Sequence, residues 1–129
     1  MSKILIDTNV YLHAMLGDEK VISVLRQAAI IGISAISIGE LLSGFKGGNR
    51  EKENQSELKE FLDSSRVRLY AIDEDTAEFY AEILNQLRRA GTPIPTNDIW
   101  ISAAALQHGL RLFSMDRHFD NIAGLLHIA

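Results

Sequence analysis

Ile4-Leu5-Ile6-Asp7-Thr8-Asn9 decides how this chain folds: three large apolar residues, then an acid, then residues that open a helix. So short and unbroken an apolar run reads as a buried strand. Thr8 to Met15 reads as a short helix broken at Gly17, and Asp18 caps a second helix to about Ile31. Val21, Leu25 and Ala28 lie on the apolar side of that helix, with Gly32 as its stop. Ile33 to Ile36 reads as a second strand, and Ser37 as the cap of a helix from Ile38 to Phe45. Lys46 to Glu57 has no strongly apolar residue and predicts a solvated loop, leading into a helix faced by Leu58, Phe61 and Leu62. Val67 to Ile72 alternates as a third strand. Asp73 caps a helix carrying Ala77, Tyr80, Ala81, Leu84 and Leu87, which Gly91 ends. Beyond Pro93 and Pro95, Thr96 or Asn97 caps a helix to His108 that Gly109 stops. Leu110 to Phe113 is a fourth strand, and Leu125 to Ile128 a short fifth. Strands alternating with helices imply an α/β fold with a mostly parallel sheet of four to five strands, in one domain over residues 1–129.

Bulk properties narrow the function. With 129 residues, the chain is long enough to bury about two-thirds of its unfolded surface. Its 47% hydrophobic and 23% charged residues are those of an ordinary soluble domain. The longest apolar-like stretch, Ala28 to Ile36, is too short to span a bilayer, so no membrane partner is expected. Lys3 and Asp7 bracket the first apolar run, which argues against a signal peptide and for the cytoplasm. No cysteine is present, which excludes disulfides, thiolate zinc sites and cysteine nucleophiles. A net charge of −4 leaves no bulk attraction for nucleic acid, so binding it would need a local basic surface, a cation or a partner subunit.

Four acids stand where this pattern turns. Asp7 follows the first strand, Glu40 lies a turn into the helix after the second, and Asp116 follows the fourth. Asp98 opens the helix that runs back to the fourth strand, so its start lies at that strand's end. In parallel sheets ligands bind at the carboxyl ends of the strands, and all four acids fall on that edge. Each has an ordinary reading alone: a cap for Asp7, dipole complementarity for Asp98, a solvated helix residue for Glu40, a turn former for Asp116. Together they conflict, because clustered carboxylates repel unless a cation joins them. A hard divalent ion with oxygen ligands resolves the conflict and points to phosphodiester chemistry.

Asp7-Thr8-Asn9 after a first strand, Ser37-x-x-Glu40-Leu41 after a second, Asn97-Asp98 opening a helix with Ala103-Ala104, and Ser114-x-Asp116-x-x-Phe119 after a last strand resemble the PIN domain. The compact length resembles the VapC-type ribonuclease toxins of toxin–antitoxin pairs. The resemblance covers nearly the whole chain; Ser114 stands where such toxins often carry Thr, which keeps the hydroxyl. It implies a three-layer α/β/α PIN-like fold and a Mg²⁺-dependent endoribonuclease, with Mn²⁺ as the alternative ion. Asp7 and Asp98 would be the main metal ligands, while Glu40 and Asp116 would hold a second ion or orient water. The expected partners are an RNA substrate, a cognate antitoxin laid across the acidic edge, and a second copy in a homodimer. Products with a 5′-phosphate and a 3′-hydroxyl are expected, since no histidine pair for 2′-hydroxyl chemistry is evident.

Thr8, Asn9, Ser37 and Asn97 are candidates to hold the carboxylates, against helix capping as the alternative. His118 is near enough to Asp116 to touch phosphate, although a surface role is more ordinary. Lys46, Arg50, Lys52, Arg117 and Lys20 could meet an RNA backbone, but interleaved glutamates favour a plain solvated loop. Trp100 and Phe119 fit core packing better than base stacking. The Tyr80, Leu84 and Leu87 stripe reads as core or dimer surface. The alternative function is a non-catalytic PIN-like scaffold or nucleic-acid-binding module. A haloacid-dehalogenase phosphatase is disfavoured because Asn9 stands where a second Asp is needed, and a receiver domain lacks its central acceptor Asp and late Lys.

Overall fold

The computed structural model describes residues 2–129. Five strands, β1 (Lys3–Ile6), β2 (Ile30–Ser34), β3 (Val67–Tyr70), β4 (Arg111–Phe113) and β5 (His127–Ile128), form one sheet in the order β3-β2-β1-β4-β5. Every pairing is parallel. Six helices join them: α1 (Thr8–Met15), α2 (Glu19–Gln27), α3 (Ala35–Lys46), α4 (Glu51–Leu62), α5 (Glu74–Ala90) and α6 (Thr96–His108). A 3-10 turn spans Arg117–Asn121.

The unbroken Ile4-Leu5-Ile6 run is explained by burial on both faces of β1. Ile4 and Ile6 enter one core with Val10, Tyr11, Leu25, Leu41 and Leu58, from the helices α1 to α4. Leu5 points the other way, into a second core with Ile83 and Leu87 of α5 and Ile99 and Ala103 of α6. The result is three layers, helices covering each face of the sheet. The chain steps from β1 to β2 and β3 on one side, then returns to β4 and β5 on the other. The order thus reverses between β1 and β4, where parallel sheets open a crevice at their carboxyl ends.

The local boundaries differ from expectation in several places; β3, β4 and β5 are each one or two residues shorter than read from the sequence, and larger differences lie elsewhere. Helix α2 ends at Gln27, and the second strand is Ile30–Ser34 rather than Ile33–Ile36. The isoleucines of Ile30-Ile31-Gly32-Ile33 are stiff at χ1 and favour the strand, so Gly32 lies inside β2, opposite Leu5, and stops no helix. The cap of α3 is consequently Ser34, whose Oγ accepts the Ile36 N–H at 3.1 Å, while Ser37 lies buried inside the helix. Glu51 to Glu57 is helical, because Glu, Lys and Gln favour helix even where only Leu58 is buried. Pro95 takes the cap position of α6 that was expected at Thr96 or Asn97. Among the described residues, no helix is long and apolar enough to cross a membrane.

Candidate metal centre

Asp7 leaves β1 and caps α1. Its Oδ1 accepts the Val10 N–H at 2.9 Å and its Oδ2 accepts the Ser114 hydroxyl at 2.5 Å. Ser114 is its neighbour because Ile6 pairs with Phe113, so the residues after β1 and β4 emerge side by side. The Ser114 Oγ also accepts the Asp116 N–H at 3.0 Å. One buried hydroxyl therefore ties Asp7 to the loop that carries Asp116. That loop is pinned from behind by His127 of β5, whose Nε2–H donates to the Ser114 carbonyl at 2.7 Å and whose Nδ1 lies 2.7 Å from Asp120. The sequence carried no sign of this brace, which depends on β4–β5 pairing.

Glu40 reaches the same place from the second turn of α3. Thr8 Oγ1 donates to its Oε1 at 2.5 Å and Asn97 Nδ2 to its Oε2 at 3.3 Å. Residues of α1, α3 and α6 thus meet on one carboxylate, and two of the four expected supporters, Thr8 and Asn97, do that work. Asn9 lines the cleft without a side-chain hydrogen bond among the described residues. Ser37 does not take part: its buried Oγ has no hydrogen-bond partner among the described residues.

Asp98 sits in the first turn of α6, at the positive end of the helix. Asp116 caps the 3-10 turn, accepting the His118 N–H at 3.1 Å. The His118 ring lies between the two, Nε2 at 2.8 Å from Asp98 Oδ2 and Nδ1 at 3.0 Å from Asp116 Oδ1. The surface reading of His118 is therefore corrected: the turn after β4 folds its ring inward over Phe119, with ring centres 4.6 Å apart.

Asp7, Glu40 and Asp98 line one open cleft of about 380 Å³, together with Thr8, Asn9 and Asn97. Burial pushes the Asp7 carboxyl above its ordinary 3.8 in spite of the hydrogen bonds from Ser114 and Val10, and the charges of Asp116 and Glu40 push it further. Burial likewise raises Asp98; His118 opposes the rise, while Glu40, Asp7 and Asp116 add to it. The acids thus act on one another electrostatically, as four carboxylates at one sheet edge should. Such a set fits a divalent cation, which favours the ionised form of each member. Asp98, Asp116 and His118 each offer a ligand atom, all within 4.8 Å of one another.

The basic and aromatic candidates contribute little here. Lys46 pairs with Glu51 at 3.3 Å, and none of Lys20, Lys46, Arg50, Lys52 or Arg117 lines the cleft. Phe119 is in the core and Trp100 stacks on Tyr80 at 4.0 Å, which favours packing over base stacking for both.

Known proteins are similar to this chain in sequence and in fold. The family model described as PIN domain matches residues 4–125. Ribonuclease VapC4 of Mycobacterium tuberculosis is 30% identical over 88 residues, covering 68% of each chain. Ribonuclease VapC2 of Haemophilus influenzae is 28% identical over 130 aligned positions, covering 97% of this chain and 96% of its own. Among solved structures, DNA-bound VapBC from Salmonella typhimurium superposes with a TM-score of 0.89 at 25% identity, over 99% of this chain and 98% of the other.

Proposed function

The chain belongs to the PIN domain family, and on that footing we propose that it is a metal-dependent endoribonuclease, the toxin of a toxin–antitoxin pair, working as one domain over residues 1–129. One observation carries the reading: carboxylates from four separate elements converge on the crevice between β1 and β4. Relatives named ribonuclease support the activity, and relatives solved as VapBC complexes support an antitoxin partner.

Asp7 and Asp98 would hold Mg²⁺ or Mn²⁺, with Glu40 and Asp116 as further ligands, directly or through water. Such an ion, when bound, lowers the pKa of its water and offsets charge on the phosphate. Asp7 is held rigid by Val10 and Ser114, so its oxygens keep a fixed direction. Glu40, fixed by Thr8 and Asn97, can accept a proton from an attacking water. Attack by water leaves a 5′-phosphate and a 3′-hydroxyl. The acidic cleft by itself repels RNA, and the cation supplies the attraction that the net charge of −4 denies. The same electrostatics suit an antitoxin that lays a helix or arm across the cleft with a guanidinium toward the carboxylates. The protein would act in the cytoplasm as a homodimer.

The test is cleavage of structured RNA by the purified chain with Mg²⁺ or Mn²⁺, then with EDTA, beside Asp7→Asn and Asp98→Asn. The expected result is cutting that EDTA abolishes and that each variant reduces by about 10²-fold or more. Cutting that survives chelation or both substitutions would overturn the metal mechanism. No cutting by the wild-type chain with metal, together with tight antitoxin binding, would favour a non-catalytic scaffold instead.

A further inference from the structure

The four carboxylates are not equivalent acceptors. Both oxygens of Asp7 and both of Glu40 already accept a hydrogen bond from a protein donor. Asp98 accepts none from a donor among the described residues, and Asp116 accepts only the His118 N–H. The part of the cup least committed to the protein is therefore its Asp98–Asp116 end. A histidine ring fills the gap there.

The contact between His118 and Asp98 has an unusual form. Nε2 approaches Asp98 Oδ2 to 2.8 Å, yet it lies off the line that a hydrogen bond needs, and this buried nitrogen has no hydrogen-bond partner among the described residues. The charge contact with Asp98 engages this nitrogen without satisfying its hydrogen-bonding capacity, which leaves its lone pair available to another partner. The ring is not free to turn away, since it rests on Phe119 and its own backbone N–H is tied to Asp116. His127, the other histidine close by, is a contrast: both its nitrogens are engaged, by Asp120 and by the Ser114 carbonyl.

We propose that His118 is a metal ligand, which with Asp98 and Asp116 makes a mixed nitrogen–oxygen seat for a divalent transition ion at this end of the cup. The proposal rests on the metal-dependent reading above and adds to it the class of ion. An imidazole donor suits Mn²⁺ and later first-row ions, whereas Mg²⁺ prefers oxygen and its own water. The ion selected is then Mn²⁺ over Mg²⁺ where both are offered. The imidazole nitrogen adds to whatever preference the carboxylates alone would give, so the contribution of His118 is read from the difference between wild type and His118→Ala.

Mn²⁺ binding to the full chain tests this without reference to catalysis. Free Mn²⁺ is followed by electron paramagnetic resonance in titrations of wild type, His118→Ala and Asp98→Asn, with Mg²⁺ as competitor. Wild type is expected to bind Mn²⁺ at least tenfold more tightly than Mg²⁺. His118→Ala is expected to lose about tenfold in Mn²⁺ affinity and change little toward Mg²⁺. Pulsed resonance on the Mn²⁺-loaded wild type gives a second readout that needs no variant to fold: an imidazole-nitrogen coupling is expected. Absence of that coupling in the loaded wild type overturns the proposal, as does a His118→Ala chain that binds Mn²⁺ as tightly as wild type. If Asp98→Asn loses Mn²⁺ while His118→Ala keeps it, only the histidine ligand falls. If wild-type protein binds neither ion, the metal-dependent reading falls with it.

Discussion

Asp7 serves two needs that oppose each other. The residue is 5% exposed and its carboxylate has like charges nearby, which disfavours the ionised form that a metal requires. A carboxyl whose pKa is raised on folding stabilises the fold most fully at low pH, and that contribution is lost as pH rises through the folded value. Asn at this position keeps the cap on α1 and removes the charge. Asp7→Asn, measured by denaturant unfolding in EDTA, should therefore be more stable than wild type near neutral pH by about 1 kcal/mol. The advantage should shrink as pH falls toward the ordinary 3.8. A variant that is less stable than wild type at pH 7 without metal would show that Ser114 and Val10 offset the buried charge. Residue identity made the acids legible from the sequence; the duties of Ser114, His118 and His127 were not. Their roles come from contacts such as Ser114 to Asp7, which are 107 residues apart in the chain.

Among the elements, β2 shows how tightly the sheet is fitted. A Cβ on Gly32 would lie 2.6 Å from Tyr70 Cε2 and 3.1 Å from Leu5 Cδ1. The Tyr70 ring is itself backed by His108, with ring centres 4.3 Å apart, and has little room to yield. Gly32→Ala should destabilise the protein by about 1–3 kcal/mol in denaturant unfolding, as overpacking does. Wild-type stability would mean that the Tyr70 ring swings aside without cost. The same strand marks where the sequence misleads. Residues 28–36 are each apolar or small, so neither helix nor strand spacing separates them, and tertiary pairing with β1 sets the register. Helix α5 is the opposite case. Its capping box of Asp73 and Thr76 and its left-handed Gly91, at φ 69°, set its ends where they were expected, but its buried face is Thr76, Ile83 and Leu87 with Tyr80 and Leu84 beside them, while the expected Ala77 and Ala81 are exposed.

At the scale of the whole molecule, the acids sit where elements from both halves of the chain meet: β1, α1 and α3 from the first, α6 and the loop after β4 from the second. A cation joining them links the two halves, and it can bind only the folded chain. Mg²⁺ or Mn²⁺ should therefore raise the melting temperature in a concentration-dependent way. The gain at a hundredfold excess over Kd is about 2.7 kcal/mol, which is several degrees for a chain of this size. Asp98→Asn should lose most of that rise, and EDTA all of it. A wild-type melting curve indifferent to both ions would argue against a shared metal seat at this edge.

Local sequence pattern was enough for the alternating α/β plan with a mostly parallel sheet and for the edge on which the four acids lie. Both follow from local features: a fully apolar run must be buried on two faces, and an acid directly after it must emerge at the strand end. The tertiary structure alone decided which groups those acids touch. Strand order places β4 rather than β3 beside β1, and that brings Ser114 onto Asp7. The turn after β4 closes His118 over Asp98, and β5 sets His127 behind them. Such contacts join residues far apart in the chain. Their geometry depends on register and on which face of each element packs inward, and no short stretch of sequence specifies these by itself.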